Sequence, residues 1–200
     1  MTQETDKGEL RERLDLIESM IAEGRRVTGN WGWAFVLWGV AYYAAFVWAW
    51  LGWNPMAAWP VTMITAGVVT AIVASRRARR RPRKGTVRAV SSIWLVMGVL
   101  LLVLMMSLAF SGRLDNHISL AVVGTMLAVA NGTSSLILRW KMQFACALAW
   151  LGMAEVGCFG TQTQGLIAFL AATFFCQIIF GIYAMISESR QEQLNGEAHA

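Results

Sequence analysis

Long apolar runs alternate with short polar gaps along most of this chain. Six runs stand out, at residues 32–53, 57–75, 90–111, 118–138, 143–160 and 165–187. Crossing a hydrocarbon core of about 30 Å takes roughly 20 apolar residues as a helix, the form that satisfies its own backbone without water. The pattern therefore predicts an all-α fold, a polytopic membrane protein built as a bundle of six transmembrane helices. A different period precedes the first run. Leu10, Leu14, Ile17 and Ile21 stand 4, 3 and 4 residues apart, on one stripe of a helix covering about residues 8–23. Its other face carries Glu9, Glu12, Asp15, Glu18 and Glu23 against Arg11 and Arg13. An anionic membrane surface repels such a face, so this N-terminal amphipathic helix is expected to meet protein rather than lipid.

The gaps set the orientation. Arg25 and Arg26 precede the first run, Arg139 and Lys141 separate the fourth and fifth, and Arg190 follows the sixth. Between the second and third runs lies SRRARRRPRKGTVR, residues 75–88, with eight of the chain's seventeen Lys and Arg residues. The alternate gaps WNPM, SGRLDN and GTQTQG hold only Arg113. By the positive-inside rule the basic gaps face the cytoplasm, which puts both termini there and the chain in a bacterial cytoplasmic (inner) membrane as a multi-pass protein. The expected organisation is a cytoplasmic segment 1–30, a membrane domain 31–187 and a cytoplasmic tail 188–200. Residues 1–30 contain no apolar stretch of signal-peptide length, so the first span is expected to serve as the insertion signal.

Composition agrees with this frame, at 56% hydrophobic and 14% charged residues. A net charge of +5 in a soluble protein would suggest nucleic acid. Here no nucleic acid partner is expected, because a positive excess is what cytoplasmic loops produce. The basic loop 76–88 is expected to sit against anionic lipid headgroups. Arg79, Arg80, Arg81, Arg83 and Lys84 of that loop, with Leu10, Leu14, Ile17 and Ile21, form the candidate cytoplasmic interaction surface for a protein partner, for each other, or for a second copy. Trp31, Trp33, Trp94 and Trp140 near the inner ends, and Trp48, Trp50, Trp53 and Trp59 near the outer ends, read as aromatic belts. Trp38 and Trp150 lie deeper and read as packing between helices. Small residues recur four apart at Ala41, Ala45 and Ala49, at Gly67, Ala71 and Ser75, and at Gly124, Ala128 and Gly132, where helices approach closely.

Chemistry-bearing residues are few. Glu155, in LAWLGMAEVGCFG, is the one carboxylate inside an apolar run, and an ionisable group there is a functional hypothesis by default. It falls roughly 5 Å to the outer side of the midplane at 1.5 Å per residue. Thr125 and Thr173 come out at similar depth, and Asn131 and Gln177 near the middle, so these five form a candidate intramembrane polar site. Its functional reading is a proton or cation site, or the counter-charge of a cationic substrate. Its structural reading is a neutral side chain hydrogen-bonded to the next helix. Asn131 with Thr133 also matches a glycosylation sequon, inside a span where no transferase reaches.

Catalysis and cofactors are not expected. His117 and His199 stand alone, and Cys146, Cys158 and Cys176 lack CxxC spacing, so neither haem nor zinc ligation is indicated. No dinucleotide or Walker glycine loop is present, and GTSS lacks the intramembrane His that a serine hydrolase needs. Size and span number are similar to those of the substrate-capturing membrane subunits of bacterial vitamin transporters, which dock a partner through small residues on span one, as the Ala41, Ala45, Ala49 stripe would allow. The expectation is a non-enzymatic accessory or regulatory membrane subunit that engages a partner through its cytoplasmic elements. The alternative is a small transporter or substrate-binding subunit that uses the cluster around Glu155.

Overall fold

The structure, a computed structural model, describes residues 13, 31–80 and 85–187. Apart from Arg13, the amphipathic segment 8–23, with Leu10, Leu14, Ile17 and Ile21, lies outside the described residues, as do Arg81, Arg83, Lys84 and the tail 188–200. Six helices occupy the six apolar runs, and no strand occurs among the described residues. They are α1 (Gly32–Trp50), α2 (Pro55–Arg80), α3 (Gly85–Phe110), α4 (Asn116–Leu138), α5 (Lys141–Phe159) and α6 (Gln162–Ser187). All six are long and apolar enough to cross a membrane, as suits a multi-pass membrane protein.

Helix ends follow local chemistry. α1 stops three residues short of the apolar run because Gly52 takes φ +75 in the turn that follows. α2 continues to Arg80, into the basic run, since arginine is a good helix former once the helix has left the apolar stretch. Asp115 caps α4 by accepting from the His117 and Ile118 amides, and Thr161 caps α6 in a reciprocal box with Gln164. Between α4 and α5 the chain reverses in two residues, with Arg139 left-handed at φ 48. That short reversal makes α4 and α5 antiparallel neighbours and the most extensive helix pair.

Four helices share the core. α4, α5 and α6 pack together, and α1 lies against α6. α2 rests on α1 and α3 on α4. The difference in burial is large: 0% of the most apolar stretch of α3 and 11% of that of α2 are buried, against 33% to 44% in the other four helices. Two aromatic groups hold the core. Phe35 meets Trp94 and Phe180 edge-on, both at 5.2 Å between ring centres, and Phe180 meets Trp140 at 5.0 Å. Deeper, Phe169 meets Tyr42 at 5.4 Å and Trp150 at 6.1 Å. Trp94 and Trp140 thus turn inward onto the core, while Trp50 and Trp53 stay exposed.

Candidate functional site

Azimuth on the helices divides the five candidate intramembrane residues. Asn131, Thr173 and Gln177 are buried, whereas Glu155 and Thr125 are exposed. The cause is close packing of α4 on α5. Gly124 takes the facing position on α4, where an added Cβ would stand 2.9 Å from the Ala154 Cβ and 3.0 Å from the Trp150 carbonyl. Thr125 and Glu155 each follow a residue at this contact, so each is turned by about 100° away from it. Sequence depth placed them at one level, and the structure does not bring Glu155 or Thr125 together with the other three. Among the described residues, no hydrogen bond or ion pair reaches Glu155.

The buried three have other company. An added Cβ at Gly132 would meet the Ala147 Cβ at 3.7 Å, which sets α4 against α5 at that level. The Cys176 thiol points at the Cys146 carbonyl at 3.8 Å, which sets α5 against α6. Gly39 of α1 stands where a Cβ would lie 3.0 Å from the Gln177 Cβ. Asn131, Cys146, Cys176 and Gln177 therefore share one layer, with α1 closing it. Gln143, one turn toward the N-terminal end of α5, is fully buried. Sequence reading missed it because it sits at the first residue of its apolar run, where a polar side chain normally reaches water. The signal was its spacing of seven from Trp150, the length of two helical turns.

This layer is polar and incompletely paired. The Asn131 amide nitrogen donates to the Leu127 carbonyl at 2.8 Å, but its oxygen accepts nothing. The Gln143 amide at both ends, the Gln177 oxygen, the Thr173 hydroxyl and the Trp150 indole nitrogen also lack partners. A buried polar atom without a partner costs about 1–3 kcal/mol, so five residues of this kind on three helices are a marked feature. Nearer the C-terminal end of α4, Ser134 is buried and accepts from the Trp94 indole at 3.1 Å.

α6 is built around this layer. Gly165, Phe169, Thr173, Gln177 and Gly181 are all buried at intervals of four. In an α-helix such a row drifts by about 40° per step. The segment Phe174–Ile179 is π-helical, and its wider turn absorbs the drift, keeping Thr173 and Gln177 on the same side.

The groups present are amides, hydroxyls and an indole. They donate and accept hydrogen bonds without taking up charge, which suits an uncharged polar ligand. No group of three or more His, Cys, Asp or Glu occurs among the described residues. His117 Nδ1 lies 2.9 Å from the Gly157 carbonyl, tying the start of α4 to the end of α5. Of the cytoplasmic candidates, Arg79 and Arg80 lie in the last turn of α2. Comparison with protein-family models, with curated proteins and with solved structures finds no match to this chain.

Proposed function

We propose that this chain is a non-enzymatic, multi-pass integral protein of a bacterial cytoplasmic membrane, with both termini in the cytoplasm. It acts as an accessory or regulatory subunit and engages a protein partner through its cytoplasmic elements. The observation that supports this reading is the poor burial of α2 and α3, the two helices that flank the basic run. Each packs mainly on one neighbour of the four-helix core, α2 on α1 and α3 on α4. Among the described residues, the two helices that flank the run of eight positive charges are thus the least buried of the six. Anionic headgroups hold such a loop at about 1 kcal/mol per charge, and a partner with an acidic face competes for the same groups. The acidic face of residues 8–23 is one such surface.

Two variants of the full chain test the reading in native membranes. One lacks residues 1–24, and the other carries Gln at Arg79, Arg80, Arg81, Arg83 and Lys84. Assembly with a partner is measured by crosslinking and native mass analysis, and helicity by circular dichroism. Loss of a stoichiometric assembly in both, with helicity kept, supports a partner-binding subunit. An assembly unchanged in both refutes it.

A second reading, a small transporter or substrate-binding subunit, is favoured by the unpaired groups of the buried layer. It centres on Asn131, Gln143, Thr173 and Gln177 instead of Glu155. Proteoliposome uptake of uncharged polar solutes that falls in Asn131→Ala and Gln177→Ala, and not in Glu155→Gln, would select it.

A further inference from the structure

Glu155 sits on a face of α5 made of exposed Phe144, Leu148, Leu151, Gly152 and Phe159. In a bilayer that face meets hydrocarbon, where a carboxyl without a partner is costly and where carboxyls pair with one another or turn to the bundle interior. Glu155 does not turn inward, and no residue of its own chain reaches it among those described. A partner for it has to come from outside the described residues.

The surface beside it is shaped for close approach. A cavity of about 260 Å³ lies between α5 and α6, lined in part by Ala149, Gly152, Val156, Ala168, Ala171 and Phe175. Most of these residues are exposed, so it opens outward. A Cβ added at Gly152 would meet no atom within 4 Å. Glycine in a helix interior costs about 1 kcal/mol relative to alanine, and no contact within the chain needs it here. A small residue without an internal use, one turn from an unpartnered carboxyl, fits an incoming helix.

We propose that two copies of this chain pair through this α5–α6 face, about a two-fold axis along the membrane normal, with Glu155 of one copy against Glu155 of the other. The second copy is the occupant because of hydrogen-bond complementarity. Two carboxyls brought to one site hold a proton between them, one donating and the other accepting, so an identical group meets the need of each. A two-fold axis places identical groups together and leaves both copies in one membrane orientation. It also sets Leu148 and Leu151 of each copy at the depth of the other's cavity, so each fills the space beside Gly152.

Cys158 supplies a native probe. It is exposed and lies three residues beyond Glu155, on the same side of α5, while Cys146 and Cys176 are buried. A disulfide between copies needs Cα atoms closer than about 7 Å, a strict test of this axis. The full-length protein in bilayers is oxidised with copper phenanthroline, and dimer fraction is followed by single-molecule photobleaching at decreasing protein-to-lipid ratio. The expected result is a disulfide-linked dimer that Cys158→Ser abolishes. Glu155→Gln keeps a donor and an acceptor and leaves the dimer within a fewfold, whereas Glu155→Leu and Gly152→Leu each weaken it by about tenfold. Gly67→Leu, on another open helix face, leaves it unchanged. Deleting residues 1–24 also leaves it unchanged, so this pairing and the cytoplasmic engagement fail separately. A monomer at all dilutions overturns the proposal. So does a crosslink undiminished in both leucine variants, or loss in those variants of contact with a different protein and no dimer.

Discussion

Gly181→Ala is expected to weaken the fold by driving α1 and α6 apart. An added Cβ at Gly181 would stand 2.8 Å from the Gly32 carbonyl oxygen, 2.8 Å from the Val36 Cγ2 and 3.1 Å from the Phe35 Cβ. The contact is reciprocal, since a Cβ at Gly32 would stand 2.6 Å from the Gly181 carbonyl. Ordinary carbon–oxygen contacts lie at about 3.3–3.6 Å, so the helices must separate by roughly half an ångström. A carbonyl inside a helix cannot rotate away. A gap of that size forfeits about a quarter of the dispersion energy of each atom pair it opens. The Phe35–Phe180 edge contact lies at this crossing. Overpacking of this kind costs about 1–3 kcal/mol, and packing is the main force between helices in a bilayer. The control is Gly67→Ala, where an added Cβ has nothing within 4 Å. Reversible unfolding in mixed micelles, followed by tryptophan fluorescence, measures both. If Gly181→Ala and Gly67→Ala agree within about 0.5 kcal/mol, the carbonyl clash is not limiting and the reasoning is refuted.

Three further outcomes follow from the same geometry. Gln143→Met removes an amide that is buried and unpaired at both ends, so stability should rise by about 1 kcal/mol in the same assay. A loss of similar size would mean that the amide is paired, in support of a ligand in the buried layer. Trp94→Phe deletes the donor to Ser134 and should cost about 1–2 kcal/mol, with part recovered when Ser134→Ala is added; a double-mutant cycle without coupling would contradict the 3.1 Å bond. Thr161→Ala breaks the capping box of α6, with an expected cost of about 0.5–2 kcal/mol. Faster hydrogen exchange at the Gln164 amide, with exchange in α4 unchanged, would localise that loss.

Helix number and approximate extent were legible because apolar length alone decides them: 118–138 reads directly as α4 (Asn116–Leu138). Where a helix leaves the apolar stretch, the same rule falls short. α2 runs on to Arg80 since helix propensity, and not hydropathy, governs a polar extension. Burial between helices was harder to read. In soluble helices a polar face points outward, but a membrane span is apolar on both its lipid side and its core side, so hydrophobicity does not tell them apart. Depth along the axis, without azimuth, groups Thr125 and Glu155 with residues that face the other way in the bundle.

A different signal was present in α5. Gln143, Ala147, Trp150, Ala154 and Gly157 recur at intervals of four and three, with Cys146 and Met153 beside them, and all are buried. Small residues, a tryptophan and an amide mark the packed side, while Phe144, Leu148, Leu151 and Phe159 mark the other. Glu155 stands five residues from Trp150, about 140° around the helix at 100° per residue. Read this way, the sequence already puts the carboxyl on the leucine and phenylalanine side. In a soluble protein that position would be unremarkable, since water would solvate the charge. In hydrocarbon it is the ionisable group on α5 that no described residue satisfies, and the demand passes to whatever lies against that face of α5.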